Sequence, residues 1–527
     1  MTETMRELFR WGFQHADPNR VAIVVPQNGT RRTFAEVQER TTRLAKGLQD
    51  AGLRQGDRAI ILLSNCAEFL EIDIALTTIG AVKVPVMYAS TDADIEHFVG
   101  DTGATTIFHR GEVSGRLLAL RESGRAPVER MICVDGGDQS DLDYETLIAE
   151  AEGDPVLEEI SPDDLYSIRF SAGTTGKGKG VMHTHNAWAN IITLLMRNVN
   201  QGQYIRPGQE VHLNVHPLSH GAGMEVERYF VAGCTNVILD GLDPELYCKT
   251  VQEEGVTATW LVPTGVNKLI SSEAFQKYDL STLQTVYYGA SPMPEGILRR
   301  ALEALGPIFV QDYGSSEVPE ASVVLHKWEH DLSTPEGEKR IRSAGRAVLG
   351  VEIKIIDIDG NILPPGETGE VCMRAPSMMK GYLNREKLTA QKLANGWVHQ
   401  GDLGYLDKDG YLFIQDRKED MIITGGFNVY PAEIESVLSR HPAIRDVVVF
   451  GVPHEHWGES VHAVVVRKEG ADIALEELQE FCTQTLPSYM KPTGLDYADD
   501  IPLSAAGKAL RRVLRAPHWE GQERAVN

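Results

Sequence analysis

Arg169-Phe170-Ser171-Ala172-Gly173-Thr174-Thr175-Gly176-Lys177-Gly178-Lys179-Gly180 follows directly on a strand-like run that begins at Leu165. Glycine lets a backbone bend sharply and approach a ligand closely. Successive backbone N–H groups, hydroxyl donors and an ammonium suit the oxygens of a polyphosphate. The stretch therefore predicts a nucleotide loop at the end of a strand. Gly173 to Lys179 also satisfies the spacing of a P-loop, Gly, four residues, Gly, Lys. The next position is Gly180, where a P-loop needs a Ser or Thr on Mg²⁺. A P-loop NTPase is thus a remote alternative, and it predicts ADP rather than AMP as product.

Around this loop the chain reads as a large α/β protein. Its 527 residues, 42% hydrophobic and 24% charged, suffice for more than one domain. A net charge of −24 argues against nucleic acid or an anionic membrane as partner. Six scattered cysteines with no CxxC pair read as reduced thiols of a cytoplasmic protein. The acidic, polar start is unlike a signal peptide, and no apolar run has the length of a membrane span.

Upstream, helix and strand signals alternate. Thr33-Phe34-Ala35-Glu36 has capping-box form and opens a helix with apolar Val37, Leu44, Ala45 and Leu48 and a stop at Gly52. Ala59 to Leu63 and Val82 to Tyr88 read as strands, with a helix from Glu68 to Ile79 between them. Such alternation predicts a mostly parallel sheet covered by helices. Downstream come His216-Pro217-Leu218-Ser219-His220-Gly221-Ala222-Gly223, then Thr257 to Pro263, placed at the sheet edge, and Thr285-Val286-Tyr287-Tyr288-Gly289-Ala290-Ser291-Pro292. Next are Gln311-Asp312-Tyr313-Gly314-Ser315-Ser316-Glu317 and Trp397-Val398-His399-Gln400-Gly401-Asp402. Ser343 to Arg346 and Leu363 to Val371 read as a small β subdomain. Asp416-Arg417-Lys418-Glu419-Asp420 precedes Met421 to Glu435, and Pro502-Leu503-Ser504-Ala505-Ala506-Gly507-Lys508 is the last motif.

Taken in order, these motifs resemble those of the adenylate-forming superfamily, the acyl-CoA synthetases and AMP-dependent ligases. The glycine-rich loop departs from that family's pattern at Ala172 and Gly178, the ribose motif at Gln400 and the hinge at Glu419. The resemblance implies an N-terminal AMP-binding domain over 1–415 of βα-layered sheets plus a small β subdomain. It implies a hinge at 416–420 and a small, mobile α+β C-terminal domain over 421–527. It implies an acyl-CoA ligase that joins an aryl, alicyclic or medium-chain carboxylic acid to coenzyme A through an acyl-AMP, releasing AMP and pyrophosphate. A stand-alone adenylation enzyme loading the pantetheine of an acyl carrier protein is the alternative.

The implied catalytic residues are Lys508, Thr174, Glu317 and His220. Glu317 and Thr174 would hold Mg²⁺ by hard oxygen donors. ATP would lie on Ser171, Gly173, Thr175, Gly176 and Lys179, on Gly289, Ala290 and Ser291, and on Asp312, Tyr313, Gly314 and Ser316. Asp402 and Arg417 would meet its ribose, and Gly425 and Gly426 the pantetheine. Small residues at 221–223 would leave room for the acyl group. Glu225 is a poor substitute for the Asp that pairs with the ammonium of an amino-acid substrate. Oligomeric state is left open, a homodimer included.

Overall fold

The structure, a computed structural model, describes residues 4–136, 140–171, 178–197, 205–319, 322–483, 485–503 and 509–520, with only the backbone of 195–197. Two large sheets build the N-terminal region. The first has eight strands, with Arg58–Ile61 flanked by Val82–Pro85 and Thr106–His109, all parallel. Leu165–Ser171 joins this sheet parallel to Val82–Pro85, then turns back into Lys179–Thr184 as an antiparallel hairpin. The second has nine strands, and its parallel centre runs from Phe309–Tyr313 through Thr285–Tyr288, Ala258–Leu261 and Val211–Asn214 to Thr235–Ile238. Ala258–Leu261 therefore lies inside the sheet, not at its edge. Parallel neighbours on both sides demand an apolar strand, and its four residues are all buried.

Helix 34–50 shows how local sequence feeds this architecture. The Thr33 hydroxyl accepts from the Glu36 amide, and the Glu36 carboxylate accepts from the Thr33 amide. Leu44, Ala45 and Leu48 are then fully buried on one face. They join one core with Met5, Phe9, Ile23, Ile61, Phe69, Trp188 and Phe230, which spans helices and strands of both sheets.

A five-stranded β subdomain follows, with Glu352–Ile356, Gly369–Arg374 and Trp397–Leu406 in antiparallel order and Leu412–Arg417 at one side. One segment assigned to it by sequence, Ser343 to Arg346, goes elsewhere at its end, and a second short strand also lies outside it. Arg346–Ala347 pairs at the margin of the nine-stranded sheet, and Gly381–Tyr382 at that of the eight-stranded one. Short turn-rich runs carry too little pattern to choose their partner sheet. The small C-terminal domain is a sheet of Ile422–Thr424, Phe427–Val429, Ile444–His454, Gly458–Arg467 and Gly494–Tyr497 with helices 431–438 and 475–483. Asp416 and Arg417 end a strand of the β subdomain, so the charged run 416–420 begins inside regular structure. No helix among the described residues is long and apolar enough to cross a membrane. All six cysteines are buried, and none forms a disulfide.

Between the two sheets lies a buried charged cluster. The Lys83 ammonium donates to Asp73 Oδ2 at 2.6 Å, Glu227 Oε1 at 2.5 Å and the Tyr166 hydroxyl at 2.7 Å. Each of the three charged side chains is only 2% exposed. Burial pushes the Glu227 carboxyl up, against the pull of Lys83. Removing one partner of such a cluster leaves uncompensated buried charge. Lys83→Ala should therefore cost about 3–5 kcal/mol in urea unfolding of the N-terminal region. A loss below about 1 kcal/mol, as for an exposed pair, would contradict this reading.

Candidate functional site

The glycine-rich stretch begins in the strand Leu165–Ser171 and ends in the strand Lys179–Thr184. Residues Gly173, Thr174, Thr175 and Gly176, like Lys508, lie outside the described residues. Its two ends are described: Ser171 pairs with Lys179 across the hairpin. A side chain at Gly178 would stand 3.0 Å from the Ser171 carbonyl, so the hairpin itself makes a small residue advantageous there. The His97 imidazole holds the Gly178 carbonyl at 2.7 Å. The Lys179 ammonium lies over the Tyr382 ring at 5.7 Å.

Tyr382 connects the loop to the acidic end of the site. Its hydroxyl donates to Glu317 Oε1 at 2.5 Å, while the Met379 amide donates to the Glu317 carbonyl. Burial raises the Glu317 carboxyl, but the Lys392 ammonium and the Tyr382 hydroxyl outweigh it and hold it below its ordinary value. It is therefore a carboxylate at neutral pH. Lys392 also donates to the Gln400 carbonyl at 2.9 Å. Both atoms of the Gln400 side-chain amide are buried without a hydrogen-bond partner. Lys392 does not stand out in the sequence; it reaches Glu317 only through tertiary packing.

The two strand-end motifs meet. A Cβ on Gly289 would fall 2.0 Å from Asp312 Oδ1 and 2.5 Å from the Asp312 carbonyl, so no side chain fits there. Ala290 has φ +64°, a conformation costly for a residue with a Cβ, and Ser291 follows in the same bend. Asp312 accepts from the Trp260 indole at 3.1 Å. The Tyr313 hydroxyl donates to Asp402 Oδ2 at 2.5 Å, and Arg417 Nε lies 3.5 Å from Asp402 Oδ1. Arg417 reaches Glu419 as well, at 3.9 Å. Asp402, Tyr313 and Arg417 thus form one cluster from three separate motifs.

Beside this cluster opens a cavity of about 150 Å³. Gly314, Ser316 and Ala290 border it on one side, and His220, Gly221, Ala222 and Met224 on another. Phe170, Trp188, His216 and Trp260 supply aromatic wall. Arg169 stacks on Trp188 at 4.7 Å and donates to the His220 carbonyl at 2.8 Å, so it holds the turn that presents His220. The His220 Nδ1 faces the Ser219 hydroxyl at 3.2 Å. Burial pushes His183 and His216 down to about 4, so both are neutral. His183 meets the Ser316 carbonyl at 2.9 Å. Gly223 does not line the cavity: a Cβ there would lie 2.4 Å from the Leu218 carbonyl, so its small size serves backbone packing. Glu225 is buried against Arg228 at 2.6 Å, a partner of its own.

Gly425 and Gly426 form the turn of the C-terminal hairpin, at φ +56° and +85°. The Gly425 amide donates to the Trp457 carbonyl. Among these residues Trp188, Trp260 and Arg169 escape sequence reasoning. Apolar and aromatic runs of that kind read as ordinary core.

The sequence matches the model of the AMP-binding enzyme family over residues 11–383 and that of its C-terminal domain over 433–508. It is 32% identical to a feruloyl-CoA synthase of an Amycolatopsis species, covering 96% of this chain and 98% of that one. It is also 32% identical to the fatty acid–[acyl-carrier-protein] ligase ScoC of Streptomyces coeruleorubidus, covering 97% and 96%. The fold superposes on the amide bond synthetase McbA of Marinactinospora thermotolerans with a TM-score of 0.86 at 26% identity, over 97% and 99% of the chains. The family match runs through the glycine-rich loop and leaves the P-loop NTPase reading without support. The chain belongs to the AMP-binding enzymes, the adenylate-forming family of acyl-CoA synthetases and ligases.

Proposed function

We propose that this enzyme activates a compact, single-ring aryl or alicyclic carboxylic acid and transfers it to coenzyme A. The observation that carries this reading is the aromatic-walled cavity of about 150 Å³ beside the Gly314–Glu317 and Asp402 cluster. A cavity of roughly that volume accommodates one benzene-sized ring. The helix Gly221–Val231 that borders it turns charged past Met224, with Glu225 and Arg228 both buried, which suits a short acid better than a long alkyl chain.

In the first half-reaction a carboxylate oxygen of the acid attacks the α-phosphorus of ATP, and the bond to pyrophosphate breaks. Lys508, Thr174 and Ser316 stabilise the charge that builds on the α-phosphate. Asp402 and Arg417 bind the ribose, and Tyr313, Gly289 and Ala290 border the adenine. Glu317 suits Mg²⁺, since its buried carboxylate is ionised and Tyr382 occupies one of its oxygens. The ion, when bound, neutralises phosphate charge. In the second half-reaction a thiol attacks the acyl carbonyl and AMP leaves, with Gly425 and Gly426 beside the pantetheine arm. The charged run 416–420 is the hinge that exchanges Lys508 for this hairpin. A carrier-protein acceptor is the second reading, favoured by the equal identity to the ScoC ligase.

Chromatography of nucleotides after incubation with ATP, Mg²⁺, coenzyme A and a panel of acids tests the assignment. AMP and a thioester should form with ring acids such as benzoate or cyclohexanecarboxylate in preference to decanoate. Preference for decanoate overturns the size argument, and AMP release only with a carrier protein overturns the acceptor. Ala222→Trp should lower kcat/KM for the preferred ring acid by about 10–200-fold, the range expected when pocket fit is lost. Lys508→Ala should slow adenylation by about 10²–10³-fold while sparing thioester formation from supplied acyl-AMP. Equal losses in both half-reactions would refute hinge exchange.

A further inference from the structure

Away from this site, the C-terminal domain brings two histidines and an aspartate together from three elements. His462 lies on the strand Gly458–Arg467 and Asp496 on its parallel neighbour Gly494–Tyr497. His518 lies on the 3₁₀ turn Ala516–Trp519. His462 Nε2 is 3.0 Å and His518 Nε2 3.3 Å from the same oxygen, Asp496 Oδ2. All three atoms lie within 4.8 Å of one another.

The two imidazole–carboxylate separations are those of neighbouring donors in a metal's coordination shell. Bonds of about 2.0–2.1 Å to imidazole nitrogen and carboxylate oxygen in a tetrahedron set neighbouring donors about 3.3 Å apart. Both rings rest on Phe450, with centroids at 5.5 Å for His462 and 5.6 Å for His518, so an apolar floor orients them. The chain also forgoes a side chain beneath the first ring: a Cβ on Gly494 would stand 2.3 Å from His462 Nδ1. The Asp496 side chain is 54% exposed, which leaves an open approach from solvent.

We propose that His462, Asp496 and His518 bind a divalent transition-metal ion of the zinc type, with water completing the shell. Two imidazoles and one carboxylate select zinc, nickel or copper over magnesium and calcium, which prefer all-oxygen shells. The ion replaces the hydrogen bond of His462 and the ion-pair contact of His518 with Asp496. It ties the turn Ala516–Trp519 to the sheet, where the Trp519 indole already donates to the Gly451 carbonyl at 2.9 Å. The segment so anchored, with Arg511 paired to Asp420 and Glu435, follows directly on Lys508.

The test is titration of the EDTA-stripped full chain with Zn²⁺ against a chromophoric chelator in near-neutral buffer. One tight equivalent per chain is expected, unaffected by excess Mg²⁺, together with a rise in the thermal transition. Asp496→Asn keeps a polar, partly exposed side chain but loses the anionic donor, and His518→Ala removes one ring. Each should weaken that equivalent by about tenfold or more and abolish the thermal rise. His454→Ala, in the separate group with His456 and Trp457, should leave both unchanged. Absence of a tight equivalent in the wild type overturns the proposal, as does undiminished binding by Asp496→Asn. If His518→Ala does not fold, Asp496→Asn decides alone.

Discussion

The ammonium of Lys83 is the point on which the two N-terminal sheets agree. It comes from a strand of the eight-stranded sheet, while Asp73 and Glu227 come from helices packed between the sheets. Glu227 accepts the Trp188 indole, Trp188 carries the Arg169 guanidinium on its face, and Arg169 holds the His220 carbonyl. A buried ion must be fully hydrogen-bonded to be tolerated, and that demand allows few relative positions of its neighbours. The cavity wall is thereby tied to the packing of the two sheets.

The same economy governs the nucleotide side. Gly289 lies against Asp312 so closely that one atom more would not fit, and Asp312 in turn takes the indole of a cavity-wall residue, Trp260. The Gly289 backbone and the cavity wall therefore share a partner. Glu317 is tuned in a comparable way, by one phenol and one ammonium from the stretch 382–392.

The C-terminal domain follows a different logic. Arg511 joins Asp420 of the charged run to Glu435 of the domain's first helix, and burial pushes nearby Asp416 up to about 7. Its hairpin turn at Gly425 and Gly426 needs left-handed backbone at two successive positions, which explains the glycine pair without reference to any ligand.

Much of this was legible in the chain. The Thr33–Glu36 cap, the strand beginning at Leu165 and the order of motifs from Ser171 to Lys508 are local patterns, and local patterns survive folding. They were enough to imply an adenylate-forming fold and to name Glu317, Tyr313 and Asp402 before any of them was seen to make a contact. What they could not convey is distance. The role of Gly223 as a packing residue rather than cavity lining depends on a carbonyl five positions upstream whose approach no spacing rule announces. Lys392, Lys83 and Trp188 look like unremarkable members of a strand, a helix or a core until the sheets close. Sequence determined which chemistry the chain could hold, because that resides in residue types at short range. Tertiary structure alone decided the size of the cavity and which ordinary side chains support its wall, because cavity shape and buried charge pairing arise only when segments far apart in sequence are packed together.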